Sequence, residues 1–126
     1  MSAKYFTVDE ANALLPSLKP LMGELLERRA RSVQLGREVS EELRQAHIDL
    51  GGPIFSELTM EFATIERLLN QIKATGCVVK SLEGGLLDFL ATIDGRDVYL
   101  CWRYGEPSIS FYHELHTGFR GRQPLA

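Results

Sequence analysis

A chain of 126 residues with 44% apolar and 25% charged side chains can close a hydrophobic core, which excludes a disordered tail and a collagen-like fibre. Fourteen Lys and Arg against seventeen Asp and Glu leave a formal charge of −3, so neutralising nucleic-acid phosphates is not its main work. No run of about 18 apolar residues offers a membrane span, and Met1-Ser2-Ala3-Lys4 lacks a signal peptide's apolar stretch.

These limits predict a single cytoplasmic domain over residues 1–126, with a helical half at 5–76 and a β half at 77–126. In a reducing compartment Cys77 and Cys101 are expected as free thiols.

Phe6-Thr7-Val8-Asp9-Glu10 carries a helix start, with Thr7 as N-cap and Glu10 three residues later to close a capping box. Pro16 and Pro20 each remove an amide donor, so the first helix is predicted to be short or kinked. From Ser17 to Ala46 the residues Leu18, Leu21, Met22, Leu25, Leu26, Val33, Val39 and Leu43 recur at helical spacing. At 1.5 Å per residue that helix would run roughly 45 Å. Arg28, Arg29, Arg31 and Arg37 lie among Glu24, Glu27, Glu38, Glu41 and Glu42, which describes a solvated face laced with ion pairs. Nucleic-acid binding is therefore not expected.

Gly51-Gly52-Pro53 breaks the chain, and a second helix carries Ile54, Leu58, Phe62, Ile65, Leu68, Leu69 and Ile72 up to Gly76, which suits a left-handed C-terminal cap. The two long helices are expected to form an antiparallel hairpin. Beyond Gly76 the chain turns to short β-branched and aromatic runs separated by glycine turns. Asp94-Gly95 favours a two-residue hairpin turn, because both central positions need positive φ.

That turn sets Ile93 opposite Arg96, Ala91 by Val98, Phe89 by Leu100 and Leu87 by Trp102, one uniformly apolar face. The other face pairs Asp88 with Cys101 and Leu90 with Tyr99. A third strand is predicted at about Ser108 to Glu114, followed by a glycine-rich tail without regular structure. With the shortest loop, Trp102 faces Ile109 and Cys101 faces Ser110, placing His113 on the apolar side; a one-residue slip reverses this.

The predicted architecture is thus α+β. A long antiparallel helical hairpin is preceded by a short N-terminal helix and followed by a small antiparallel sheet of about three strands and an irregular C-terminal tail.

The β half concentrates chemistry-bearing residues: Asp88, Cys101, Trp102, Glu106, His113, Glu114, His116, Arg120 and Arg122. His113, Glu114 and His116 are candidate metal ligands, with Asp88 or Cys101 completing a nitrogen, oxygen and sulfur set that suits zinc or another borderline divalent ion. The competing reading is a strand histidine bonded to a carboxylate. Arg120 and Arg122, flanking Gly121, offer two guanidiniums to a phosphate or carboxylate, or else pair with Glu106, Glu114 or Asp88 and pin the tail. Asp88 sits between Leu87 and Phe89, where a carboxylate is costly unless satisfied; Arg103, Arg120 and Arg122 are its expected partners. Cys101 reads as a buried apolar filler, or as a nucleophile if a base lies beside it. Phosphate-binding loops, dinucleotide-binding glycine patterns and paired Cys-x-x-Cys motifs are absent.

Phe6 through Pro16, Gly85-Leu86-Leu87-Asp88-Phe89, Leu100 through Glu106, Tyr112-His113 and Gly118 through Leu125 together resemble an uncharacterised prokaryotic family, domain of unknown function 2203. Tyr112 and Leu90 depart from that pattern, where relatives often carry Trp and Pro, and neither change removes a candidate ligand. Members are sometimes labelled DivIVA-like, after cell-division proteins with heptad-like, coiled-coil helices. The resemblance implies a fold and a set of marked positions, and no activity.

Two readings of function follow. One is a small binding protein or enzyme with a polar site built from Asp88, Cys101, Trp102, Glu106, His113, Glu114, Arg120 and Arg122, converging on a water-accessible hollow that holds a divalent metal or an anionic small molecule. The other is a non-catalytic scaffold, a homodimer through the long helices, favoured because burying apolar surface is worth about 25 cal/mol per Å². No reaction type follows from either.

Overall fold

The computed structural model describes residues 3–45 and 52–125. Thr7 opens the first helix, α1 (Val8–Arg44): its hydroxyl accepts from the Glu10 amide at 3.1 Å, and the Glu10 carboxylate accepts from the Thr7 amide at 2.8 Å. The expected capping box is therefore in place. The short first helix is not. Pro16 and Pro20 both lie inside a continuous helix of 37 residues, about 55 Å long at 1.5 Å per residue. They are four residues apart and exposed, on the helix face turned from the core, where water can stand in for the amide partner that the carbonyls of Asn12 and Pro16 lose. On the buried side Ala11, Leu15, Leu18, Met22 and Leu25 run unbroken into the core and carry the helix past both prolines.

The second helix, α2 (Pro53–Lys73), starts with Gly52 as N-cap and Pro53 in its first turn, where a missing amide costs nothing. Leu68 and Ile72 bury against the same core, and Gly76 leaves the helix end at φ 101°, the left-handed conformation anticipated for it. Between the helices Arg28 meets Glu61 and Arg31 meets Glu57, pairs whose numbers rise along α1 and fall along α2. The turn of the expected hairpin, 46–51, lies outside the described residues, as does Ala46, where the long helix was expected to end.

The sheet has five antiparallel strands in sequential order rather than about three: β1 (Val78–Ser81), β2 (Leu86–Ile93), β3 (Arg96–Arg103), β4 (Phe111–Glu114) and β5 (Gln123–Pro124). The two unforeseen strands are the outermost, four and two residues long, too short to show a period of their own. In the central hairpin all eight pairs match the expected register, from Ile93 with Arg96 to Leu86 with Arg103. Asp94 and Gly95 both take positive φ, 51° and 78°. Leu87, Phe89, Ala91, Val98, Leu100 and Trp102 bury on one face against α1 and α2, where Phe6 meets Phe89 edge to face at 5.3 Å.

The third-strand register departs from expectation by one residue. Cys101 faces Phe111, and Tyr99 faces His113. Glu106 closes a turn after β3, its carbonyl accepting from Trp102 Nε1 and its carboxylate from the Arg103 amide. The chain then dips so that Ile109 buries, its amide donating to Asn12 Oδ1 on α1 at 2.8 Å. This detour consumes one residue more than the shortest loop and turns His113 to the face of Asp88 and Cys101.

Candidate functional site

Asp88, Cys101 and His113 stand on β2, β3 and β4 on the sheet face turned away from the helices, since each alternates with a core residue. One donor atom from each, a carboxylate oxygen, Sγ and a ring nitrogen, lies within 4.8 Å of the other two, and all three residues are 1% exposed. His113 Nε2 is 3.0 Å from Asp88 Oδ2. Its Nδ1 is 2.7 Å from the Glu114 carbonyl, which can only accept, so Nδ1 carries a proton. The contact between Nε2 and Oδ2 consequently holds one further proton, on the ring or on the carboxyl. Asp88 Oδ1 is buried without a hydrogen-bond partner.

Burial sets the electrostatics. It raises the Asp88 carboxyl above its ordinary range, with His113, Lys80 and Cys101 pulling the other way. It pushes the Cys101 thiol up to about 12, reinforced by the charges of Asp88 and Glu106 and opposed by Arg122. An unassisted Cys101 is a protonated thiol at neutral pH, and the nucleophile reading loses its footing.

Beside this cluster the tail pairs with β4 along the edge of the sheet and sends the Arg122 side chain over the same face. Arg122 lies 4.0 Å over the ring of Phe111, the cross-strand neighbour of Cys101, and 4.6 Å from that of Phe119 in the 3₁₀ turn Phe119–Gly121. Its Nη2 donates to Glu106 Oε1 at 2.9 Å and to the Cys101 carbonyl at 3.3 Å. Burial acts to raise the Glu106 carboxyl, but hydrogen bonds from Arg122 and the Arg103 amide outweigh it and hold Glu106 below the ordinary range. Arg122 is thus a pin for the tail.

The other expected residues lie elsewhere. Trp102 points into the core with its Nε1 committed to Glu106, so it faces away from the cluster. Glu114 forms a two-pronged pair with Arg96, whose hydrogen bond draws its carboxyl down. His116 and Arg120 are exposed. Asp88 is partnered by His113 and not by an expected arginine, because the register brings the imidazole to it. The expected water-accessible hollow is instead a buried cluster. Sequence reasoning missed Lys80, Tyr99, whose ring is 5.6 Å from that of His113, and the two phenylalanines around Arg122. For the two phenylalanines the signal was the recurrence of aromatic residues near the tail arginines; Lys80 and Tyr99 carried none.

Comparison with curated proteins and with solved structures returns no match. The profile of a family described as an uncharacterized conserved protein (DUF2203) matches residues 4–125, and the chain belongs to that family.

Proposed function

We propose that this is a small metal-binding protein whose centre is Asp88, Cys101 and His113 and whose ion is a borderline divalent cation such as zinc. The observation that carries the reading is the orphaned oxygen Asp88 Oδ1, buried beside an imidazole whose Nδ1–H is committed to a backbone carbonyl. A histidine held that way presents Nε2 as a ligand, the usual arrangement around zinc. Bonds of about 2.0–2.1 Å to N and O set tetrahedral ligand atoms about 3.3 Å apart, close to the separation of Nε2 and Oδ2. Charge fits as well. A carboxylate and a thiolate neutralise a dication, so the loaded centre is uncharged in a site where charge is costly. Binding releases the proton shared by His113 and Asp88 and the thiol proton of Cys101.

Elemental analysis of protein purified without chelator, followed by zinc titration of the stripped protein, tests this. One equivalent is expected, lost in His113→Ala and Cys101→Ser and kept in His116→Ala and Glu114→Gln. Stripped protein that takes up neither zinc nor cobalt at micromolar concentration removes the reading. An anionic ligand is less well supported, because Arg122 is already engaged by Glu106 and Cys101.

A second reading concerns the helices. We read α1 and α2 as the arms of one hairpin, joined to the sheet in one folding unit and extending past it. Leu43, Met60 and Phe62 are more than half exposed on these arms, which favours a homodimer. Light scattering at micromolar concentration decides between 14.2 kDa and twice that mass. No helix among the described residues is long and apolar enough to cross a membrane, and two buried free thiols fit a cytoplasmic home.

A further inference from the structure

Asp88, Cys101 and His113 are sealed from solvent, yet a site that exchanges any ligand must open. The three residues stand on β2, β3 and β4, and β2 and β3 share eight paired positions. Exposing the cluster by parting those strands means losing the sheet. The chain beyond β4 is held differently. Leu115, His116 and Thr117 are exposed, and Gly118 turns at φ 69°. The return leg is then fastened by few contacts: two pairs between β4 and β5, the Leu125 amide to the Ser110 carbonyl at 2.9 Å with the Leu125 side chain partly buried against the core, Tyr112 Oη to Gln123 Oε1 at 3.0 Å, and Arg122. Of these, Arg122 is the one that reaches the cluster, through the Cys101 carbonyl and the Phe111 ring, and the one tied to a separate loop through Glu106. Segments with few fastenings open at far lower cost than central strands.

We infer that residues 118–125 form a strap along the β4 edge that closes the Asp88–Cys101–His113 cluster through Arg122, latched by Arg122 and Glu106, whose release is the route by which a metal ion enters and leaves. The metal part rests on the function proposed above; the strap does not. Unlatching lowers the cost of the open state without touching a ligand atom, so entry and exit accelerate together and affinity stays nearly constant.

The test uses Cys101 as its own reporter. In a Cys77→Ser background, an uncharged aromatic disulfide is added to stripped protein. The Cys101 thiolate attacks one sulfur, forming a mixed disulfide and expelling an aromatic thiolate whose absorbance is followed. Arg122→Ala and Glu106→Gln are each expected to raise the rate about tenfold or more, and the double variant little further, because both break one latch. Urea midpoints measured alongside separate strap release from global unfolding, and Arg122→Lys is the substitute if Arg122→Ala does not fold. Rates unchanged by both substitutions, or following the urea midpoints alone, overturn the strap.

Zinc loading and chelator-driven release form the second arm. Both rates are expected to rise by a similar factor, with Kd moving less than about threefold. Faster release with unchanged loading shows Arg122 to be merely supporting the ligands and overturns the strap. Protein that binds no zinc defeats the metal reading and leaves the thiol arm to decide the strap alone.

Discussion

His113 and Asp88, 25 residues apart, meet at 3.0 Å with side chains 1% and 2% exposed. Buried in this way, each partner satisfies a group that the other would leave costly. Removing one member of such a pair typically costs about 3–5 kcal/mol, whereas replacing both with apolar residues is often close to neutral. Asp88→Ala and His113→Ala are therefore each expected to lose about 3 kcal/mol in urea denaturation with chelator present, so that bound metal adds nothing. Asp88→Leu combined with His113→Leu is expected to recover most of the loss. Single variants as stable as the parent protein would show that the pair does not form.

The two helix prolines make a prediction of opposite sign. Proline inside a helix costs about 3 kcal/mol, part of which is returned here because water reaches the freed carbonyls. Pro16→Ala and Pro20→Ala are each expected to raise stability by about 1–3 kcal/mol, measured as an upward shift of the urea midpoint with unchanged slope.

Two glycines separate helix propensity from packing. At Gly36 in α1 nothing lies within 4 Å of where a Cβ would stand, so Gly36→Ala should stabilise by about 0.5–1 kcal/mol. At Gly121 the added Cβ would lie 2.5 Å from Thr117 Cβ and 2.6 Å from its Oγ1, which donates to the Glu114 carbonyl. Gly121→Ala is expected to destabilise by about 1–3 kcal/mol and to loosen the tail, read as faster amide exchange at Arg122.

Acid should release the tail before the sheet. The folded pKa of Glu106 is lowered from an ordinary value of 4.5, so the stability it contributes is complete above that value and is lost as pH falls through the lowered one. Asp88 acts in the reverse sense: its folded pKa is raised from 3.8, so its ionisation favours the unfolded chain as pH rises. Thermal melts between pH 3 and 7 are expected to show a downward slope towards acid that flattens in Glu106→Gln. A slope identical in the two proteins would exclude Glu106 as its source.

Elements decided within a few residues were legible in the chain itself. Thr7 and Glu10 cap α1 because a capping box spans three positions, and Asp94-Gly95 sets the central register because a two-residue turn leaves no freedom. That register alone placed Asp88 opposite Cys101, so two thirds of the cluster followed from local rules. The third member did not. Whether His113 joins them depends on the length of the path between β3 and β4, and Asn12, 97 residues away from Ile109, decides that path by accepting its amide. The run of α1 through Pro16 and Pro20, the partner of Asp88 and the fold-back of Arg122 onto Glu106 are likewise set by packing between distant parts of the chain. Period and turn chemistry act along a few residues of chain, whereas a one-residue slip of a strand, which turns every side chain to the opposite face, is decided by contacts that exist only once the helices and the sheet have met.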